Sequence, residues 1–344
     1  MTTFGLDTFG DLTLDEDGRP AAAHQVLRNV VDQGVLADQV GIDHFSVGEH
    51  HRDDFAITAP EVVLAAIAAR TERITLGSAV TVLSSDDPVR VYERFATLDA
   101  LSGGRAEITV GRGSFIESFP LFGFDLEDYE VLFEEKLDLL ARLRDEGPVT
   151  WSGTTRAPLT GQRVHPTTAR GGLPVWVGVG GSPESVVRTA RHRLPLMLAI
   201  IGGAPARFAP YVELFGRALR ELHGPDTPTL PVGVHSPGFV AGTDAEALDL
   251  LYPHFKANRD RIGAERGWPP VSRAEYEREA AEGALFVGSP DTVARRIAET
   301  VRTLGVQRFD LKYANGPMPH AQLLRAIELY GTEVLPRVRA LLAA

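Results

Sequence analysis

The sequence predicts an α/β fold, a (β/α)8 TIM barrel, and two observations point to it. Apolar runs of about four to eight residues, the length of buried parallel strands, alternate with stretches of 3.6-residue periodicity. Eight such strand–helix pairs follow one another along the 344 residues. Parallel strands joined by helices wind in one direction, and eight of them close on themselves. An open doubly wound sheet is the alternative topology. The chain reads as one domain over residues 1–344 with two insertions, around 145–172 and 262–285, longer than ordinary connections.

The elements follow in order. "TFGLDTFG" is the first strand, and "AHQVLRNVVDQGVLADQVG" a helix stopped by Gly41. "HFSVGE" is the second, with a helix at "APEVVLAAIAARTE". "RITLGSAVTVL" is the third, with a helix from Pro88 to Ser102. "RAEITVGRG" is the fourth, with a long helix through "YEVLFEEKLDLLARLRDE". "LPVWVGVGG" gives a fifth strand and "SPESVVRTARHR" its helix. "LPLMLAII" is the sixth strand, followed by "RFAPYVELFGRALRELHG". "LPVGVHSPGFVA" is the seventh, followed by "DAEALDLLYPHFKANRDRI". "VQRFDLKYA" is the eighth, and "AQLLRAIELYGTEVLPRVRALL" closes the chain.

Composition narrows the classes of function. A 44% apolar and 24% charged chain is ordinary for a globular protein. The absence of cysteine removes disulfides, thiolate zinc sites, iron–sulfur clusters and thiol nucleophiles. A formal charge of −11, with arginines scattered along helices, argues against a nucleic-acid partner. No apolar stretch is long enough to span a bilayer, and "MTTFGLDTFGD" lacks the pattern of a signal peptide. A cytoplasmic location with no membrane partner is the expectation.

In such barrels chemistry sits where strands end, and five stretches there bear inspection. "VGEHH" ends the second strand. Adjacent side chains on extended backbone point to opposite faces, so His50 and His51 do not converge on one metal, and the spacing is not HExxH. A loop histidine without special role and an imidazole lining the barrel mouth are the remaining readings. "GSAVTVL" leaves room for a flat ligand against the backbone, or marks tight packing. "TVGRGSF" places Arg112 between glycines, as an anchor for phosphate or carboxylate or as an arginine reaching to solvent. "VWVGVGGSPESVV" runs into Gly180 and Gly181, then Ser182 as N-cap, Pro183 at the first helical position and Ser185 in the first turn, a phosphate cradle in chemistry. "FVGSPDTVARRIAE" repeats the same capping words, and the sequence alone leaves the choice between the two copies open.

Taken together, "GLDTFGD", "VGEHH", "ITLGSAVTVLSSDDPVRVYERFATLDALSGGRAEITVGRGS", "VWVGVGGSPES" and "KYANG", in that order and spacing, resemble the bacterial luciferase-like family of flavin-dependent monooxygenases over nearly the whole chain. The resemblance implies reduced FMN at the barrel mouth, supplied by a separate flavin reductase. It implies a non-proline cis peptide at Ala79–Val80 under the flavin ring, and Arg112, Gly180, Gly181, Ser182 and Ser185 at its phosphate. His50 falls on the histidine implicated in luciferase catalysis, as a proton donor or orienter. Homodimers paired through helices beside the second and third strands are common in the family.

Some positions depart from the family pattern. The luciferase cysteine before the arginine is Gly111. A second phosphate arginine is replaced near Tyr129–Glu130, where the Tyr129 hydroxyl is a substitute donor. "AIIGG" replaces flavin-lining aromatics, so light emission is not implied. The resulting expectation is an FMN-dependent monooxygenase acting on a small organic substrate, with residues 262–285 as a mobile lid. The alternatives are an F420-dependent dehydrogenase on the same barrel and a non-catalytic flavin-binding subunit.

Overall fold

Strand β1 (Thr3–Thr8) is buried from Phe4 onward on both faces, as a strand must be with a barrel interior on one side and helices on the other. The computed structural model describes residues 2–15, 17–113 and 115–344. After β1 come α1 (Ala23–Gln39), β2 (His44–Val47), α2 (Pro60–Ala68), β3 (Thr75–Ser78), β4 (Thr81–Val82), α3 (Pro88–Ser102) and β5 (Ile108–Gly111). The middle of the chain holds α4 (Ser118–Phe122), α5 (Tyr129–Leu143), β6 (Val149–Trp151), β7 (Leu159–Gln162), β8 (Val175–Val179), α6 (Pro183–Arg191), β9 (Leu196–Ala199), α7 (Ala209–His223) and β10 (Val232–Val240). The remainder is α8 (Asp244–Arg266), α9 (Arg273–Glu282), β11 (Phe286–Gly288), α10 (Pro290–Leu304), β12 (Arg308–Lys312), α11 (His320–Leu329) and α12 (Leu335–Ala343).

The parallel strands run in the order β3-β2-β1-β12-β10-β9-β8-β5-β4 and form a nearly closed barrel, with the short β11 beside the end of β10. Its two ends meet at a parallel bridge between Leu76 and Ala106. Ser78 strengthens the seam: its hydroxyl donates to the Thr109 carbonyl at 2.9 Å and accepts from the Thr109 amide at 3.1 Å. All eight strands read from the sequence are present. The third is split into β3 and β4 by the Ala79–Val80 peptide, which is cis.

The two insertions carry more regular structure than their sequences suggest. Residues 145–172 contain the antiparallel hairpin β6–β7. Residues 262–285 are mostly helix, comprising the end of α8 and all of α9. Among α9 residues only Tyr276 and Ala280 are buried, so no apolar stripe announces the helix. Its signal is instead a capping box, in which Ser272 and Glu275 satisfy each other's backbone amides. No helix among the described residues is long and apolar enough to cross a membrane.

Below the mouth, the barrel interior holds a charged layer. Arg308 is 1% exposed and donates to Glu107, just before β5, and, at 2.8 Å, to Asp310. His44 lies 3.5 Å from the same Glu107 carboxylate. Arg308 and His44 hold the Glu107 carboxyl far below the usual carboxylate range despite its burial. Glycines make room for these groups: a Cβ on Gly5 would lie 2.3 Å from the Asp310 carboxylate, and one on Gly77 3.0 Å from Glu107. Replacing Arg308 by leucine strands two buried carboxylates and is expected to lower unfolding free energy by about 3–5 kcal/mol, measured by urea denaturation at neutral pH.

Candidate active site at the barrel mouth

At the C-terminal ends of the strands lies a cavity of about 380 Å³. Of the residues singled out from the sequence, His50, Ala79, Val80, Arg112, Tyr129, Gly180 and Ser185 line it, while Gly181 and Ser182 form the adjoining turn. Ser114 of the "GRGS" stretch lies outside the described residues.

The floor of this cavity is built around Val80. A Cβ on Gly111 would come within 2.8 Å of the Val80 side chain, and one on Gly178 within 3.0 Å. The glycine at 111 is thus a packing requirement of Val80, which accounts for the missing cysteine. On the opposite side a Cβ on Gly48 would lie 2.3 Å from the Ala79 carbonyl. Glu49 clamps the same segment, a carboxyl oxygen accepting from the Val82 amide at 2.8 Å. Burial pushes the Glu49 carboxyl up to about 8, the Val82 hydrogen bond only partly opposing it.

The two histidines diverge. His50 packs in an aromatic cage, with ring centres 4.8 Å from Phe9, 4.6 Å from Phe55 and 4.9 Å from Phe115. Its imidazole is pushed down to about 3, first by burial and then by the positive charges of Lys312 and Arg52. His51 turns away against Phe122 at 4.9 Å. The rest of the motif is a latch. Arg52 binds Glu265 at the end of α8 through two hydrogen bonds, 2.5 and 2.8 Å, and also Asp54 at 3.0 Å. Arg261 of α8 pairs in return with Asp53 and Asp54.

At the other end of the cavity Ser182 caps α6, its Oγ accepting from the Ser185 amide at 3.3 Å and donating to Glu184 at 2.7 Å. Gly181 takes a φ of +103°, which lets the chain turn into the helix. Arg112 pairs with Glu130 and lies 5.1 Å from the Tyr129 ring centre. The Tyr129 hydroxyl donates to the Gly113 carbonyl at 3.3 Å, so the substitute donor expected there is already engaged. The sequence reading overlooked Arg188, one and a half turns into α6. Its Nη2 lies 2.8 Å from the same Glu130, and its Nη1 is buried without a hydrogen-bond partner. The second "GSP" copy is a different environment. The Asp244 carboxylate accepts from the Ser289 amide at 2.7 Å and from the Thr292 hydroxyl at 3.0 Å, filling that helix start with a resident anion.

His235, from the middle of β10, is the other residue missed. Its Nδ1 lies 2.7 Å from Asp7 of β1, and Asp7 and Asp310 raise its basicity against the opposing effect of burial. The pairing spans 228 residues and has no local sequence signal.

Residues 8–308 match the family described as luciferase-like monooxygenase. The chain belongs to this family. It is an oxidoreductase of that monooxygenase class. Over 327 residues it is 29% identical to 4-hydroxyprotoasukamycin monooxygenase of Streptomyces nodosus subsp. asukaensis, covering 87% of this chain and 84% of that one. The oxygenating constituent of 3,6-diketocamphane monooxygenase from Pseudomonas putida, solved with FMN, superposes with a TM-score of 0.77 at 19% identity over 98% and 99% of the two chains. An F420-dependent secondary alcohol dehydrogenase superposes at 0.75 with 17% identity over 98% and 99%. These two structural likenesses establish the shared luciferase-like barrel.

The Glu49 clamp has a pH signature. Its carboxyl ionises near 4.5 when unfolded and near 8 when folded, so its contribution to stability falls as pH rises across that interval. Glu49→Gln keeps the acceptor and removes the titration. Relative to the parent, the variant gains stability between pH 5 and pH 9, measured as the difference in urea midpoints; an unchanged difference overturns the assignment.

Proposed function

We propose that this chain is the oxygenating component of a two-component, FMN-dependent monooxygenase in the cytoplasm, with reduced flavin delivered by a separate reductase. The observation that carries the reading is the convergence of the closely packed Ala79–Val80 floor, a partly exposed arginine and a serine-capped helix start on one cavity. The fit to a phosphate-tailed flat ring rests on the chain's own atoms. Glycines at 48, 111 and 178 leave the Ala79–Val80 segment in close contact with its neighbours. Arg112 and Arg188, bridged by Glu130, bring two guanidiniums to the α6 end. Such forks suit phosphate oxygens.

Bound reduced flavin supplies the oxygen-activating chemistry; the protein excludes water and moves protons. His50, kept neutral by its phenylalanine cage, acts as an orienter able to give or take a hydrogen bond, not as a charged acid. His235 is the group suited to hold a proton. Asp7 occupies Nδ1 and leaves the Nε2–H as the available donor. The wall formed by the end of α8 and by α9 is the candidate lid, pinned by the Arg52–Glu265 and Arg261–Asp53 pairs. A homodimer through α2 and α3 is supported by Val62 and Leu101, which are 66% and 67% exposed there.

Titration of the purified protein with FMN and with F420 separates the cofactor readings: FMN binds in the micromolar range and F420 does not. Preference for F420 overturns the proposal in favour of the dehydrogenase. Arg112→Ala weakens FMN by about tenfold or more, the range of a charge-assisted hydrogen bond. Glu130→Gln has the opposite sign, tightening FMN by about a few-fold as a competing exposed carboxylate is removed. His50→Ala lowers oxygenation by about 100-fold with flavin affinity little changed. An unaltered rate removes His50 from the mechanism, and no turnover by the parent leaves only a flavin-binding subunit.

A further inference from the structure

Beyond the flavin-sized cavity lies a second and larger one of about 590 Å³, and the two share Phe9, Ile201 and His235. The shared residues place the larger cavity directly beside the smaller one. Its walls have a distinct chemistry. Phe9, Phe55 and Phe115 line the barrel side, and Phe255, Trp268 and Tyr276 line the side formed by α8, α9 and the loop between them. Aromatic side chains on both sides of the cavity favour a flat, polarisable molecule through offset and edge-to-face contacts.

The charges in the cavity are unequally satisfied. Glu275 accepts from the Ser272 amide at 2.8 Å. Glu279 accepts from the amides of Gly203 and Ala284 at 2.9 and 2.8 Å. Lys312 is held by Asp11 at 3.1 Å. Arg259 differs. Its guanidinium lies over Trp268 at 4.2 Å from the ring centre, which fixes its plane, yet no carboxylate pairs with it among the described residues. Its Nη1 packs against α8, 3.1 Å from where a Cβ on Gly263 would lie. A guanidinium that lines a ligand-sized space with no carboxylate of its own is a ready partner for a ligand's anionic oxygens. In a chain of formal charge −11, this is a local reversal of sign inside a ligand-sized space.

We propose that the larger cavity binds a planar aromatic acid, its ring between the two aromatic walls and its anionic oxygens on the Arg259 guanidinium. Calling that ligand the substrate rests on the monooxygenase reading; the binding chemistry does not. Recognition by a rigid, stacked guanidinium selects a carboxylate over its neutral amide, and the aromatic walls select a fused ring over a flexible chain.

Three probes test this by fluorescence and calorimetric titration of the full chain: anthracene-2-carboxylate, anthracene-2-carboxamide and decanoate. The aromatic acid binds tightest, with the amide and the aliphatic acid each at least tenfold weaker. Arg259→Gln removes the tenfold preference for acid over amide and leaves FMN affinity unchanged, while Arg259→Lys, which keeps the charge, retains part of that preference. Equal binding of acid and amide, tighter binding of decanoate, or an Arg259→Gln protein with the acid preference intact overturns the proposal. Loss of FMN binding in the parent with acid binding preserved removes the cofactor reading alone.

Discussion

The Arg308 cluster is the constraint on which the mouth of this barrel depends. A barrel interior is ordinarily filled by layers of branched aliphatic side chains. Here a fully buried guanidinium binds carboxylates from the start of β5, at Glu107, and from β12, with Ser46 of β2 at 3.5 Å. Burying three charges is costly unless each is paired and hydrogen-bonded. The pairing joins strands that lie apart in the sheet order, so it fixes their separation across the interior. Gly5 and Gly77 are the spatial condition for it, since a side chain at either position meets a carboxylate. Above this layer the interior opens into the cavity, whose lower wall includes Asp310 and Thr109.

A second set of dependencies runs sideways through Val80. Gly111 and Gly178 on neighbouring strands leave the space that its methyl groups occupy, and Glu49, two residues past β2, secures Val82. The motif "VGEHH" therefore divides its labour. Glycine permits close approach to Ala79, glutamate ties down β4, the first histidine enters an aromatic cage, and the second faces elsewhere. Gly48 and Glu49 shape the floor of the cavity, His50 lines it, and His51 takes no part in it.

Much of this was legible in the sequence, for physical reasons. Buried parallel strands are continuously apolar, so the eight runs stood out; in α10, Val293, Ile297, Val301 and Leu304 recur at helical spacing and all are buried. Capping words located helix starts correctly, but they were ambiguous about ligands. Only Asp244, brought in from another helix, distinguishes the Ser289 turn from the Ser182 turn. The helix α9 escaped notice because polar residues cover most of it. The Asp7–His235 pair, the Arg188–Glu130 contact and the Arg308 layer escaped because each joins residues 58 or more positions apart. Such pairs are properties of the closed cylinder, and no local pattern encodes them.

The latch between Arg52 and Glu265 joins two parts of the chain 213 residues apart. One end belongs to the loop that carries His50, the other to the helix whose far side faces the larger cavity. Arg52 stands two residues from His50, so a single ion pair ties the placement of that imidazole to the position of α8. Because Glu265 and Asp53 stand partly in water, at 47% and 85% side-chain exposure, rising ionic strength loosens that tie.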